Sequence, residues 1–411
     1  MPTPEIQQTV VSGASGRSKA GSRYYVALDG LRAVAVMMVF CQHYGAGKAW
    51  ILGWACGWGW TGVDIFFVLS GFLITGILYD SQERPHRYRD FYLRRTLRIF
   101  PLYYAVWLGI LLLAPVAQWQ WNWRWAMWPA YLGNYDRFVF FGAAGDPYQF
   151  DRLTFGIAVQ RWFGSPMHLW IGHFWSLCVE EQFYLLWPFI VYKVRSRETL
   201  VKICLGVVVS MPLLRSLLAV VVPAPMLRME MFYRSLPTRL DALLIGGLIA
   251  LYLRGPERAW LQRGRRWLLA ATSMLFAMTY FVSVKMLRLP FYGSASNWIG
   301  IAGFTLIDLF AAGLILECIH PGSLLGRVLS VRPLRSLGII SYGFYVYHDL
   351  LHDFYGYVAN RFFPQQAFAV TAIVAFGGTV AISEVSYRLL ERPLLRLKDH
   401  FTNQVHRAPA G

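Results

Sequence analysis

Long apolar segments separated by short polar ones run along most of the chain, from about residue 25 to residue 390. An α-helix rises about 1.5 Å per residue, so roughly 20 apolar residues cross the hydrocarbon core of a bilayer. The segments that reach or approach this length are 25–44, 60–79, 98–117, 174–193, 200–222, 239–254, 266–284, 297–319, 334–357 and 367–390. The pattern predicts an all-α integral membrane protein, a bundle of about ten transmembrane helices.

The amino-acid composition excludes an ordinary soluble fold. Hydrophobic residues make up 56% of the 411 residues, and charged residues make up 15%. A typical soluble domain carries about 25% charged residues. A protein dissolved in water could not bury this much apolar surface, so the bilayer is the predicted solvent.

Basic residues fall mainly in every second segment between the predicted spans. The net charge is +17, which in a soluble protein would suggest nucleic acid. Here it fits membrane orientation better, because cytoplasmic loops are enriched in Lys and Arg. We expect both termini to be cytoplasmic, in a multi-pass membrane protein with no nucleic-acid partner. Residues 1–23 and 399–411 are predicted to be disordered cytoplasmic tails.

The longest segment between predicted spans, 118–173, is rich in tryptophan and would face the outside. Tryptophan rings concentrate at membrane interfaces, and they can also stack on sugar rings. We prefer the interfacial interpretation, because it is the commoner use. The residues concerned are Trp119, Trp121, Trp123, Trp125 and Trp128.

Two ionisable residues of the first span are the leading candidates for chemistry, because a charged group within a bilayer is costly. Arg32 and His43 are eleven positions apart, which is three turns plus about 20°, so they share one helix face about 16 Å apart along the axis. Arg32 would lie in the inner half and His43 near the outer end. Arg32 could instead form a structural ion pair with Asp29, and His43 could simply contact headgroups. Their occurrence together favours a functional role.

The fourth span carries adjacent carboxylates, Glu180 and Glu181. Ser176 shares a helix face with Glu180 at a spacing of four. The carboxylates could pair with Arg32, orient His43 or share a proton. We expect a polar site here rather than exposure to lipid.

The second and third spans hold further candidates. Asp64 is a buried acid for which function and packing are equally supported. Ser70 and Gly71 are interpreted as residues that allow close helix packing. Arg95 and Arg98 could be part of the positive-inside signal. We prefer a clamp for the phosphates of a nucleotide-bearing donor, because guanidinium groups bind phosphate in a bidentate manner.

Near the end of the chain, Tyr342 and His348 are supporting candidates. His348 and Asp353 match an H-x4-D pattern that also occurs in soluble glycerolipid acyltransferases, but the surrounding blocks of those enzymes are absent. A positioning or packing role for His348 is therefore preferred. The five cysteines lack metal-ligand spacing, and we expect no metal site.

Together these segments resemble acyltransferase family 3 of membrane O-acyltransferases, across residues 24–398 and in that family's usual order. The matching pieces are Arg32-x10-His43, GVDIFFVLSGFLI (Gly62 to Ile74), the pair Arg95 and Arg98, FWSLCVEEQFYLLWP (Phe174 to Pro188), RLDALLIGG (Arg239 to Gly247), SYGFYVYH (Ser341 to His348) and the ending Tyr387-Arg388 followed by Glu391-Arg392-Pro393.

The resemblance implies a membrane acyltransferase domain over residues 24–398, with acyl-coenzyme A as co-substrate and no tightly bound cofactor. It also implies transfer of an acyl group, most often acetyl, to a hydroxyl of a carbohydrate-containing acceptor such as a surface polysaccharide, a lipid-linked glycan or a glycosylated small molecule. Arg32 and His43 match the residues regarded as essential in that family. Some relatives carry a fused esterase-like domain, and we expect this chain to act without one.

The expected mechanism assigns a role to each group. Arg32 would hold the donor or stabilise an oxyanion, and His43 would act as general base or carry the acyl group. Glu180 or Glu181 would orient the imidazole or neutralise Arg32. A carrier or flippase of a lipid-linked saccharide is the alternative, since buried charges also occur in transporters. A scaffold for a polysaccharide assembly complex is a third possibility.

Overall fold

The computed structural model describes residues 25–45, 56–119, 123–139, 151–281, 299–364 and 368–397. The predicted tails 1–23 and 399–411 lie outside these residues, as do parts of the tryptophan-rich segment. Helices account for most of what is described.

The α-helices, numbered along the chain, are α1 Val26–Gly45, α2 Thr61–Asp80, α3 Arg87–Ala117, α4 Asp136–Val139, α5 Ile157–Phe163, α6 Trp175–Val194, α7 Arg197–Val221, α8 Pro225–Arg234, α9 Leu236–Tyr252, α10 Arg258–Tyr280, α11 Phe304–Ile319, α12 Leu324–Leu329, α13 Arg332–Ile339, α14 Ser341–Leu350, α15 His352–Phe362 and α16 Phe368–Ser386. Two short strands, β1 Arg152–Thr154 and β2 His168–Trp170, pair antiparallel. Short 3-10 turns cover Trp123–Met127, Gly133–Tyr135 and Gly172–Phe174, and π-helical turns cover Ile299–Gly303 and Tyr387–Glu391.

Seven helical segments among the described residues are long and apolar enough to cross a membrane. They are Val26–Gly45, Thr61–Asp80, Arg87–Ala117, Arg197–Val221, Pro225–Tyr252, Gly300–Ile319 and Ala369–Leu397. Each coincides with one of the ten predicted spans, so the prediction of an all-α membrane protein is supported. Helices α6 and α10, of 20 and 23 residues, coincide with two more but carry several charged residues.

The predicted span 334–357 is not one helix. The chain breaks at Ile340 and at Leu351, so that α13, α14 and α15 succeed one another as short helices. Ten residues of α14 extend only about 15 Å, half the thickness of a bilayer core. Interrupted helices are tolerated at membrane depth where protein encloses the backbone or a polar cavity lies beside it. Helix α14 meets this condition, because it packs between α1 and α16 and borders the cavities described below.

Apolar side chains cover the outside of the helical bundle. On α7, Val209, Leu213 and Val220 are 67%, 69% and 83% exposed. Such a surface would be unfavourable in water and is the one expected to face lipid tails. Helix α2, by contrast, is almost entirely buried and forms the centre of the bundle.

Glycines set the separation between the central helices. A Cβ atom at Gly71 of α2 would overlap the carbonyl oxygen of Leu243 in α9, and one at Gly246 of α9 would overlap the carbonyl oxygen of Val68 in α2. The two backbones therefore touch directly, as small residues permit in membrane helices. The prediction that Gly71 serves close packing is confirmed.

Replacing Gly71 by Ala should destabilise the protein, because the new methyl group forces α2 and α9 apart. Overpacking of this kind costs roughly 1–3 kcal/mol, so the thermal unfolding midpoint of the purified protein in detergent should fall by several degrees. The matched control is Gly109→Ala in α3, where a Cβ atom would meet nothing within 4 Å. Equal midpoints for the two variants would contradict this view of the α2–α9 contact.

Candidate active site

A cavity, here called the inner cavity, lies between α1, α2, α3, α6 and α14. Its polar lining consists of Arg32, Ser70, Arg95, Arg98, Ser176, Glu180, Glu181, Tyr184, Ser341, Tyr342 and Tyr345. Seven of the candidates from the sequence are in this set, although they come from four separate helices. Ser70 also lines the cavity and hydrogen-bonds the Tyr184 hydroxyl, so it does more than allow helices to pack.

Three guanidinium groups and two carboxyl groups border the inner cavity, which makes it cationic overall. Arg32 Nη1 lies 3.4 Å from Asp29 Oδ1, so the structural ion pair considered from the sequence is present. The Arg32 side chain nevertheless remains 20% exposed, toward the cavity. The Arg95 guanidinium lies 4.5 Å from the centre of the Tyr184 ring, which holds it at the cavity wall. This combination suits an anionic ligand.

The carboxylates of α6 belong to the inner cavity and not to the surroundings of His43. Ser176 and Glu180 lie one turn apart on the same helix face and border the same space, as their spacing predicts. Glu181 lies beside them. These carboxylates are therefore positioned to balance the guanidinium groups, whereas the residues that contact His43 come from elsewhere in the chain.

His43 borders a second space, here called the outer cavity. This cavity is lined by Val39, Gln42, His43, Trp60, Val63, Arg137, Asp151, Trp170, Gly172, His173, Trp175, Tyr233, Arg234, Tyr345, Asp349 and His352. Arg32 and His43 thus open into different cavities, about 16 Å apart along α1.

Hydrogen bonds define the tautomer of His43. Its Nδ1 lies 3.1 Å from the Val39 carbonyl oxygen and 3.0 Å from Nε2 of His348. The Nδ1 atom of His348 lies 2.7 Å from the Tyr345 carbonyl oxygen. A carbonyl oxygen only accepts, so both Nδ1 atoms carry hydrogen, and His348 Nε2 accepts from His43. Neutral His43 therefore keeps a lone pair on Nε2.

Asp349 lies on the remaining side of His43. Its Oδ2 atom is 3.9 Å from His43 Nε2 and 3.4 Å from His173 Nδ1. His173 Nε2 lies 3.1 Å from the Val346 carbonyl oxygen and so donates to it. A carboxylate in this place stabilises an imidazolium at His43 after it takes up a proton.

Polar and aromatic groups form the remainder of the outer cavity wall. Arg137 pairs with Asp151 and with Glu230, and Arg234 also pairs with both acids. The Trp175 and Tyr233 rings lie 4.6 Å apart. The outer cavity is therefore rich in flat apolar faces and in hydrogen-bonding groups, with its charges largely balanced.

Asp64 lies in neither cavity. It is fully buried and pairs with Arg239 of α9, while Arg215 Nη2 of α7 lies 2.6 Å from both carboxylate oxygens of Asp241. Asp308 of α11 is buried close enough to Arg239 to interact with it electrostatically. Asp64 therefore forms a structural ion pair, and its partner comes from the Arg239–Asp241 segment.

The H-x4-D pattern does not form a catalytic pair. His348 contacts His43, whereas Asp353 accepts hydrogen bonds from the backbone N–H of His168 at 2.9 Å and from Trp170 Nε1 at 3.0 Å. Asp353 therefore attaches α15 to strand β2. The preferred positioning role of His348 agrees with this geometry.

The interfacial interpretation of the tryptophan-rich segment is wrong for two of its residues. Trp128 is fully buried against Tyr103 and Gly133, and Trp125 is 8% exposed, so both belong to the protein core. Trp121 lies outside the described residues. The outer cavity is lined instead by Trp170, near the end of the same segment, and by aromatic residues of other segments, including Trp60 and Trp175.

Sequence reasoning missed His173, Asp349 and Tyr345 as parts of the site. Asp349 adjoins His348 within a predicted span, so the rule that flagged the other intramembrane charges applied to it as well. His173 precedes the fourth span, and only its contact with Asp349 identifies it. Tyr345 resembles the other tyrosines of its segment, and its importance depends on its position between the two cavities.

A model of an acyltransferase domain family matches residues 25–388. The chain is 31% identical over 380 residues to a Bacillus subtilis protein named "Putative peptidoglycan O-acetyltransferase", covering 90% of this chain and 55% of that one. It is 28% identical over 384 residues to the peptidoglycan O-acetyltransferase of Listeria monocytogenes, covering 92% and 57%. An O-acetyltransferase of Staphylococcus aureus is 27% identical over 385 residues, covering 90% and 57%.

The chain spans a little over half the length of these curated relatives. No solved structure matches it at a significant level.

Replacing Arg239 by Gln should strongly destabilise the protein, because it leaves the buried Asp64 carboxylate without its partner. Breaking a buried ion pair costs about 3–5 kcal/mol. The double variant Asp64→Asn with Arg239→Gln should recover part of that loss, and Arg388→Gln, which breaks an exposed pair with Glu384, should have little effect. The measurement is the unfolding midpoint in detergent. A double variant no more stable than Arg239→Gln alone would show that Asp64 is not the main partner of Arg239.

Proposed function

The chain belongs to acyltransferase family 3, and from this membership we propose that it is a membrane-bound O-acyltransferase. It would move an acetyl group from cytoplasmic acyl-coenzyme A to a hydroxyl of a sugar-containing acceptor at the other face of the membrane. The supporting observation is the pair of cavities that meet at Val63 and Tyr345, one lined by guanidinium groups and the other by a histidine with a free lone pair.

The inner cavity is the proposed donor site. Coenzyme A carries several phosphates, and guanidinium groups bind phosphate through two parallel hydrogen bonds. Arg95 and Arg98 would contact the phosphates, and the thioester end would extend past Arg32 toward the partition between the cavities. Glu180 and Glu181 would balance the guanidinium charges when no donor is bound. In this arrangement the face of the bundle that bears Arg95 would be cytoplasmic. Both chain termini would be cytoplasmic as well.

The outer cavity is the proposed acceptor site. The faces of Trp60, Trp175 and Tyr233 offer surfaces on which a sugar ring can lie, and the paired Arg137 and Asp151 offer hydrogen bonds to its hydroxyls. The named relatives from Bacillus and Listeria point to a peptidoglycan glycan strand as the first acceptor to test.

The proposed reaction uses the lone pair on His43 Nε2. This nitrogen takes the proton from the acceptor hydroxyl while the oxygen attacks the acyl carbonyl carbon. The new C–O bond forms, the C–S bond breaks, and the leaving thiolate takes the proton from His43. His348 holds the imidazole in the required tautomer, and Asp349 stabilises the imidazolium that forms in between.

Two roles were considered for Arg32, and the geometry of α1 favours one of them. The backbone positions of Arg32 and His43 are about 16 Å apart along the helix axis, and the two side chains border different cavities. We therefore assign Arg32 to donor binding instead of oxyanion stabilisation.

A carrier of a lipid-linked saccharide is the second candidate function. It is favoured by two cavities that meet inside the bundle and by the interrupted segment from α13 to α15, since broken helices often border transported substrates. Purified protein with radiolabelled acetyl-coenzyme A and soluble peptidoglycan glycan fragments distinguishes the two. Label in the glycan supports the transferase, whereas uptake into sealed vesicles without transfer supports the carrier.

Replacing His43 by Ala should reduce acetyl transfer to glycan fragments by about 10²- to 10⁴-fold, the usual contribution of a general base. The matched control is His320→Gln, which alters a histidine that bonds Gln262 away from both cavities. Both variants should insert and unfold like the wild type. Undiminished labelling by the His43 variant would remove this residue from the mechanism.

Replacing Arg32 by Lys should raise the KM for acetyl-coenzyme A more than it lowers kcat, because lysine cannot reproduce bidentate contacts. One charge-assisted hydrogen bond is worth about 1.5–3 kcal/mol, which corresponds to roughly a 10- to 100-fold change. Steady-state kinetics over a range of donor concentrations measures this split, with the exposed Arg332→Lys as control. An unchanged KM would show that Arg32 contributes only its positive charge, without bidentate contacts.

A further inference from the structure

The two cavities meet at a partition formed by Val63 of α2 and Tyr345 of α14, since both residues line both spaces. Ser176 borders only the inner cavity, and His173 borders only the outer one. A group that moves from the donor side to His43 must therefore pass these two side chains.

Hydrogen bonds to two neighbouring groups hold the Tyr345 hydroxyl in place at the partition. It lies 2.7 Å from the His173 carbonyl oxygen and 2.5 Å from Ser176 Oγ. A carbonyl oxygen only accepts, so the tyrosine donates its single proton to His173 and accepts from Ser176. Both partners belong to the continuous segment of the Gly172–Phe174 turn and α6, which fixes the ring against that segment.

The ring itself is packed as well as hydrogen-bonded. It is 6% exposed, and its centre lies 5.4 Å from the His173 ring, 5.6 Å from the His348 ring and 6.4 Å from the Phe66 ring. The backbone carbonyl of Tyr345 also accepts the hydrogen bond that sets the His348 tautomer. A large displacement of this residue would therefore disturb the histidines beside the reacting atoms, so the ring is expected to stay in place during turnover.

We infer that Tyr345 and Val63 act as a size filter for the transferred acyl group and restrict the donor to short-chain acyl thioesters. This inference rests on the proposed function. The acyl carbonyl carbon reaches the acceptor oxygen at the partition, where the C–O bond forms as the C–S bond breaks and the proton passes through His43 to the thiolate. An acetyl group has one carbon beyond the carbonyl carbon. A butyryl group has three, and all three must fit against a fixed aromatic ring.

The test compares acetyl-, propionyl- and butyryl-coenzyme A as donors for the full-length protein in detergent. Soluble peptidoglycan glycan fragments serve as acceptor, and mass spectrometry measures the products. Wild-type protein should prefer acetyl over butyryl by at least tenfold in kcat/KM, since single methylenes are commonly discriminated by 10- to 200-fold. In Tyr345→Ala the ratio of butyryl to acetyl transfer should rise by about tenfold or more. Val63→Ala should also raise the ratio of butyryl to acetyl transfer, by a smaller factor.

Two further variants separate the effect of side-chain size at the partition from other effects on transfer. Tyr345→Phe keeps the ring and should keep the acetyl preference. Leu73→Ala widens the inner cavity ten residues along α2 from the partition, and it should change acetyl and butyryl transfer by the same factor. If Tyr345→Ala has no activity with any donor, the Val63→Ala ratio decides the question.

The results distinguish this inference from the proposed function. The size filter is overturned if both Tyr345→Ala and Val63→Ala still transfer acetyl and keep the wild-type ratio of butyryl to acetyl transfer. The proposed transferase function would stand in that case. A wild-type protein that transfers butyryl as well as acetyl would also overturn the filter. Failure of the wild type to transfer any acyl group would instead reject the proposed function.

Discussion

A charged side chain is stable within a bilayer only where protein encloses it and offers a partner, and the architecture of this bundle follows from that constraint. The Arg239–Asp64 and Arg215–Asp241 pairs join α2, α7 and α9 at positions that lipid cannot reach. They allow the central helix α2 to carry an acid without exposing it. Arg32, Arg95, Arg98, Glu180 and Glu181 instead border the inner cavity, where they are available to ligands.

Helix α1 connects the two cavities. One face of α1 presents Arg32 to the cationic inner cavity and His43 to the outer cavity. Glycine contacts fix the position of α1 against α12 and α13. A Cβ atom at Gly30 would overlap the Leu329 carbonyl oxygen, and one at Gly338 would overlap that of Asp29. The interruption of the chain after α13 then brings α14 beside α1, so that His348 meets His43 at hydrogen-bonding distance.

The division of the interior into two spaces suits chemistry between a soluble donor and an acceptor at the opposite membrane face. A single open channel would let ions and water cross the membrane. Tyr345, whose hydroxyl bonds both Ser176 and the His173 carbonyl, separates the two spaces while they stay adjacent. The tautomer of His43 depends on the same residue through its backbone carbonyl, so separation of the two spaces and orientation of the imidazole share one structural element.

Hydropathy and spacing are local properties, and they were sufficient to predict an all-α membrane protein, the first helix that carries Arg32 and His43, and the polar site around Glu180. Partnerships between helices depend on contacts hundreds of residues apart. Only the tertiary structure therefore decided that Asp64 pairs with Arg239, that Glu180 and Glu181 border the space of Arg32, and that His348 orients His43. Hydropathy likewise does not predict the break at Ile340, because an apolar segment has the same composition whether its helix is continuous or interrupted. Enclosure by neighbouring helices determines which form is stable.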